Sequence, residues 1–214
     1  MDYLQHLIER YPKLETAKSS IDAAYRVLVH AYESRRKLLV AGNGGSAADS
    51  EHLVGELMKG FVRPRPPKRE FLDSLNRVAQ NESDHAAAAF IADNVQGTLA
   101  AIALTNHSAL STACLNDMDG KIIFAQQVYG YGESGDVFLG ISTSGNAKNV
   151  YYAAITAKAK GLKTIALSGG TGGLLAAVSD ISIIVPEKET YKVQELHLPV
   201  YHTLALMLEE HFFS

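Results

Sequence analysis

The sequence predicts an α/β fold, a three-layer αβα sandwich built on a five-stranded parallel sheet. Five short runs of aliphatic and β-branched residues, 38–41, 101–104, 137–141, 164–167 and 181–185, are each bounded by turn residues. Segments with helical periodicity separate them, and parallel neighbours need crossovers of that kind. The runs are apolar throughout instead of alternating, the pattern of strands covered on both faces.

The elements follow in order along the chain. Leu4, Leu7, Ile8, Tyr11 and Leu14, then Ile21, Ala24, Tyr25, Leu28 and Tyr32, recur at helical spacing and predict one or two amphipathic helices across 1–36. A glycine-rich turn after the first strand opens a helix that carries His52 and Glu56. Residues 61–95 begin with a Pro/Arg cluster and then turn polar and helical, which reads as an insertion into a βα crossover. Helices are expected over 118–131, with Asn116-Asp117 as a candidate N-cap, and over 147–160, ending at Gly161. The last amphipathic segment, 190–213, is interrupted by Pro199, which has no N–H to give the Glu195 carbonyl and should kink it. With 214 residues the chain reads as a single domain spanning 1–214.

Composition narrows the function classes. A net charge of -3 offers no electrostatic footprint for nucleic acid or an anionic membrane. No stretch approaches a membrane span, and MDYLQHLIERYPKLE lacks the pattern of a signal peptide, so a cytoplasmic protein is expected. The lone Cys114 reads as a buried, inert thiol.

Two strand ends carry anion-binding equipment: Asn43-Gly44-Gly45-Ser46 after the first run and Ser142-Thr143-Ser144-Gly145-Asn146 after the third. Glycines let the backbone approach closely, and hydroxyls donate to phosphate oxygens at helix N-termini. Gly42, Gly44 and Ala47 also fit a loose dinucleotide fingerprint. That reading needs an acidic residue at the end of the next strand to hold the ribose, and the chain has Leu104-Thr105-Asn106-His107 there. A tight βα turn with Ser46 as N-cap is the plainer alternative for one loop; two such loops favour a single phosphate held between them.

His52 and Glu56 share one helical face, and Gln194 and His202 stand about two turns apart near the C-terminus. His, Glu and His with a Gln oxygen suit a zinc-like ion. Without metal, Glu and His suit a general base and acid moving a proton between adjacent carbons. His107 and His197 lie near this region as supporting candidates, while His6, His30, His85 and His211 read as surface or packing residues.

GNGGS followed by HxxxE, then ND, GISTSGN and VQELHxxxxH resembles the sugar-isomerase (SIS) domain family, and within it the sedoheptulose 7-phosphate isomerases. The resemblance runs from about residue 37 to the C-terminus outside 61–95. It implies substrate binding by Asn43, Gly44, Gly45, Ser46, Glu56, Asn116, Asp117, Ser142, Thr143, Ser144 and Gln194. It also implies Glu56 and His202 as the acid–base pair, and His52, Glu56, Gln194 and His202 as ligands of zinc. A homotetramer with active sites between subunits is implied too. The alternative is a non-catalytic phosphosugar-binding SIS module of the DnaA-associating type, a group depleted at the positions of Glu56 and His202. Three departures stand out. Ala147 replaces a usual serine, 60 positions separate Glu56 from Asn116, and only Arg63 or Arg65 is available for an arginine expected soon after the glutamate.

Overall fold

The computed structural model describes residues 2–214. Five strands, β1 (Leu38–Ala41), β2 (Ala101–Ala103), β3 (Val137–Ser142), β4 (Lys163–Gly169) and β5 (Ile181–Val185), form one parallel sheet in the order β2-β1-β3-β4-β5. Leu39 pairs in register with Ile102 on one side and Phe138 on the other.

The period of two decides which helices cover which face. Leu38, Val40, Val137, Leu139, Ile165 and Leu167 point into one cluster, with α1 (Tyr3–Arg10), α2 (Lys18–Glu33), α3 (Gly45–Met58) and α10 (Thr190–Phe213). Leu39, Ala41, Phe138 and Ala166 point into a second, with α7 (Ile123–Tyr131), α8 (Lys148–Ala159) and α9 (Gly173–Val178). Burying each such Leu, Val or Phe contributes about 1.5–3 kcal/mol before conformational entropy is set against it. Cys114 is free and buried.

Between α3 and β2 the stretch 61–95 contains α4 (Arg69–Val78) and α5 (Glu82–Asn94), with Asn81 accepting from the Asp84 N–H as the cap of α5. No residue of α4 is buried.

Three local expectations are corrected. The 118–131 segment begins as a 3-10 turn, Gly120–Ile122, before α7. Asp119 caps that turn by accepting from the Lys121 N–H, so Asn116 and Asp117 end α6 (Ser108–Asp117) instead of starting a helix. Finally, α10 is one continuous helix with Pro199 inside it, so the segment is not interrupted there. One missing N–H costs one ladder bond, and the buried neighbours His197, Val200 and Tyr201 hold the helix in place on both sides. Among the described residues, no helix is long and apolar enough to cross a membrane.

Candidate active site

The strand order reverses beside β1, since the chain passes from β1 outward to β2 and then crosses back to β3 on the other side of β1, and ligands of open α/β sheets sit beyond the carboxyl ends at such a point. The two hydroxyl-rich loops leave the sheet there. Together Asn43, Gly44, Gly45, Ser46, Ser142, Thr143, Ser144, Asn146, Ala147 and Gln194 line a cavity of about 550 Å³. A Cβ on Gly45 would run into the Gln194 carboxamide, so glycine is needed for that approach. Gly145 sits at a φ of 68°, and a Cβ there would strike the Gly172 carbonyl. Gly44, not Ser46, is the residue before α3, and no side chain caps that terminus. Ser46 lies inside the first turn, buried. Asn149, in the first turn of α8, exchanges two side-chain hydrogen bonds of 2.9 and 2.8 Å with Asn43 and ties the two loops together.

Helices α3 and α10 run side by side in the same direction. Gly45 meets Gln194 at their start, His52 meets Tyr201 and His202 midway, and Glu209 accepts the Phe61 and Val62 N–H groups beyond the end of α3. Midway lies the ionisable cluster. His52 Nε2 is 3.2 Å from Glu56 Oε1, and Lys59 Nζ is 2.8 Å from Glu56 Oε2. The rings of His52 and His202 stand edge to face, centroids 4.9 Å apart. Burial holds the His202 imidazole below its usual range, with His52 adding to the effect and Glu56 opposing it. Neutral imidazole keeps one donor and one acceptor nitrogen, as a group handling oxygen protons needs.

Arg65 is 1 % exposed. Its Nε donates to Glu209 Oε1 at 2.8 Å, and its two terminal nitrogens donate to the Leu57 and Glu56 carbonyls at 2.8 and 3.0 Å. These are carbonyls of the last turns of α3, which lack helical partners of their own. Arg65 is thereby removed as a candidate for contacting substrate, and Arg63 is engaged by Glu210.

The structure brings together His52, Glu56 and His202, and separately Asn43 to Ser46, Ser142 to Ser144 and Gln194. It does not bring Gln194 to His202: eight residues along α10 amount to about 12 Å. His202 lines a different cavity, of about 320 Å³, with Tyr3, His6, Arg10, Phe61 and Pro199. Asn116 and Asp117 line neither; they are exposed, joined by a 2.7 Å hydrogen bond. His197 is fully buried, and burial lowers its imidazole to about 4, so it remains neutral. Sequence reasoning missed Asp49, Lys59, Tyr201 and Asn149. Asp49 and Lys59 lie three residues from His52 and from Glu56, a spacing that places them on the same face. Tyr201 and Asn149 carried no such signal.

The donor set fits zinc in part. His202 Nε2 is buried with no hydrogen-bond partner. The 3.2 Å between His52 Nε2 and Glu56 Oε1 is close to the edge of about 3.3 Å that two ligands of a tetrahedral zinc would span at ordinary bond lengths. Among the described residues, no three His, Cys, Asp or Glu side chains already stand grouped to hold a metal.

Comparison with known proteins agrees with this geometry. A family model for the SIS domain matches residues 2–97 and 79–169. A phosphoheptose isomerase of Sulfurimonas denitrificans is 34% identical over 94% of this chain and 87% of its own length. Another, from Helicobacter pylori, is 32% identical over 99% and 94%. A solved phosphoheptose isomerase from Neisseria gonorrhoeae superimposes with a TM-score of 0.72 at 28% identity, covering 96% of both chains. By sequence along nearly its whole length and by fold, the chain belongs to the SIS-domain family and, within it, to the phosphoheptose isomerases.

Proposed function

We propose that this protein is a sedoheptulose 7-phosphate isomerase, converting sedoheptulose 7-phosphate to D-glycero-D-manno-heptose 7-phosphate by enediol proton transfer. The observation that carries the proposal is the pairing on α3 and α10 of a hydroxyl-lined cradle at their start with His52, Glu56 and His202 about two turns along. The cradle takes the phosphate through backbone N–H groups and the hydroxyls of Ser46, Ser142, Thr143 and Ser144. Holding that distant group supplies binding energy for positioning the reacting carbons.

Glu56 takes a proton from C1 of the ketose while O2 gains one, giving the enediol. O1 then loses its proton and C2 receives one, which leaves the aldose. His202, neutral and beside Glu56, serves the two oxygens. His52, Glu56 and His202 would hold a zinc ion, with Gln194 joining by rearrangement or from another subunit; when bound, zinc would polarise the carbonyl. Asn116 and Asp117, exposed in one chain, would reach sugar hydroxyls in an assembled site. The separate cavities of Gln194 and His202 favour active sites completed between subunits of a homotetramer. Glu56 and His202 favour this enzyme over a non-catalytic SIS module.

The test is direct. Purified protein is expected to interconvert the two heptose phosphates, to carry near-stoichiometric zinc by elemental analysis and to lose activity on chelation. Binding of sedoheptulose 7-phosphate without turnover, with zinc supplied, would defeat the proposal. Asn149→Ala, which unties the two loops, is expected to raise KM about tenfold with kcat changed less than twofold, because it weakens uniform binding at the remote phosphate.

A further inference from the structure

One side chain in the cluster has no part in the chemistry above. Tyr201 precedes His202 on α10 and is 1 % exposed. Its hydroxyl donates to Asp49 Oδ1 at 3.2 Å and lies 3.1 Å from His52 Nδ1. Its ring meets those of His52 and His202 edge to face, centroids 5.7 and 5.0 Å away. His52 is thus held from behind by a hydrogen-bonded chain of Asp49 and Tyr201, and in front its Nε2 faces Glu56.

Counting donors along this chain assigns the imidazole. An ionised carboxylate only accepts, so the tyrosine spends its single O–H on Asp49 and its oxygen is left to accept from His52. Nδ1 must then carry a proton, and in the neutral imidazole Nε2 is the nitrogen left with a lone pair. That lone pair points at Glu56 Oε1, a second acceptor, 3.2 Å away. Something positive must lie between the two, a second imidazole proton in the metal-free protein or a metal ion that takes its place.

We propose that Tyr201 is a positioning residue for the metal centre: with Asp49 behind it, its hydroxyl fixes the His52 tautomer and ring orientation so that Nε2 is presented as a ligand. The proposal rests on the reading of His52 as a zinc ligand. Groups that hold the far nitrogen of a metal-bound histidine in this way act on the affinity of the site without touching the ion.

The test uses protein stripped of metal and titrated with zinc against a chromogenic chelator. Tyr201→Phe keeps the ring and its packing and is expected to bind zinc about 10–100-fold more weakly. In the metal-free state, at a pH high enough to leave the ring neutral, 15N spectra of the imidazoles should show His52 as the Nδ1–H tautomer in the wild type and as a mixture in Tyr201→Phe. A purely structural role would not move that signature. Asp49→Asn keeps the shape but not the charge at the far end of the chain. It should weaken zinc about tenfold, and it carries the test if the phenylalanine variant fails to fold. Wild-type zinc affinity in Asp49→Asn or an unchanged tautomer in Tyr201→Phe, with His52→Ala defective in zinc binding, overturns the role of Tyr201 alone. Full zinc affinity in His52→Ala overturns the underlying reading of the site and this inference with it.

Discussion

Glu56→Gln is expected to lower kcat about a thousandfold, within the range that removing a general base produces, while KM for sedoheptulose 7-phosphate changes less than threefold. The amide keeps the size of the carboxylate and its place on the buried side of α3 but cannot take a proton. The Glu56 side chain is 11 % exposed, so water has little room to replace it as the base. The phosphate is held at the other end of the helix, some ten residues earlier, and its binding is untouched. Two measurements check this: steady-state kinetics on both sugar phosphates, and exchange of the C1 hydrogen with deuterated water, which reports proton abstraction before turnover. Exchange at the wild-type rate in Glu56→Gln would assign the base to another group.

Arg65→Met is expected to cost about 3–5 kcal/mol of stability, because it leaves the Glu209 carboxylate buried and unpaired. For a domain of this length that is a fall in Tm of about 10 °C. The double variant Arg65→Met, Glu209→Leu should recover much of the loss, since an apolar pair of similar volume carries no stranded charge. Acid sensitivity supplies an independent check. Burial pushes the Glu209 carboxyl up, but the Phe61 and Val62 N–H groups and the Arg65 guanidinium outweigh it and leave its pKa below the usual value. A folded-state pKa below the unfolded one adds stability that is full above the ordinary carboxylate range and is lost as pH falls through the folded value. The gap in urea-melt stability between wild type and Glu209→Gln should therefore narrow from pH 7 toward pH 3. A gap independent of pH would mean that the carboxylate is not the stabilising form.

What could be read from the sequence divides by distance along the chain. The strands were legible because a run such as Val137–Ser142 is buried at every position and so is apolar almost throughout. The cradle was legible because its glycines and hydroxyls are contiguous, and His52 with Glu56 because four residues is one helical turn. The Asn43–Asn149 exchange, the Tyr201 hydroxyl on His52 and the Arg65–Glu209 pair were not legible, since each joins residues more than a hundred positions apart. An arginine in a Pro/Arg cluster looks like a solvated charge until the helix that buries it is in place. Pro199 read as an interruption for a related reason: local chemistry removes a ladder bond, and packing on both sides of α10 lets the helix continue.

The same Arg65 pair has a consequence for how the protein comes into being. Arg65 waits for a partner 144 residues further on, and His202 and Tyr201 reach His52 across a slightly longer span. During synthesis, α3 emerges early with its last carbonyls and its base unsupported, and the loop that supplies α10 closes only when most of the chain has been made. A chain ending before Glu209 leaves Arg65 without its carboxylate, solvated instead of buried against the end of α3. The fold thereby makes the chemistry conditional on completeness: a fragment that already owns the phosphate cradle does not yet own a set base.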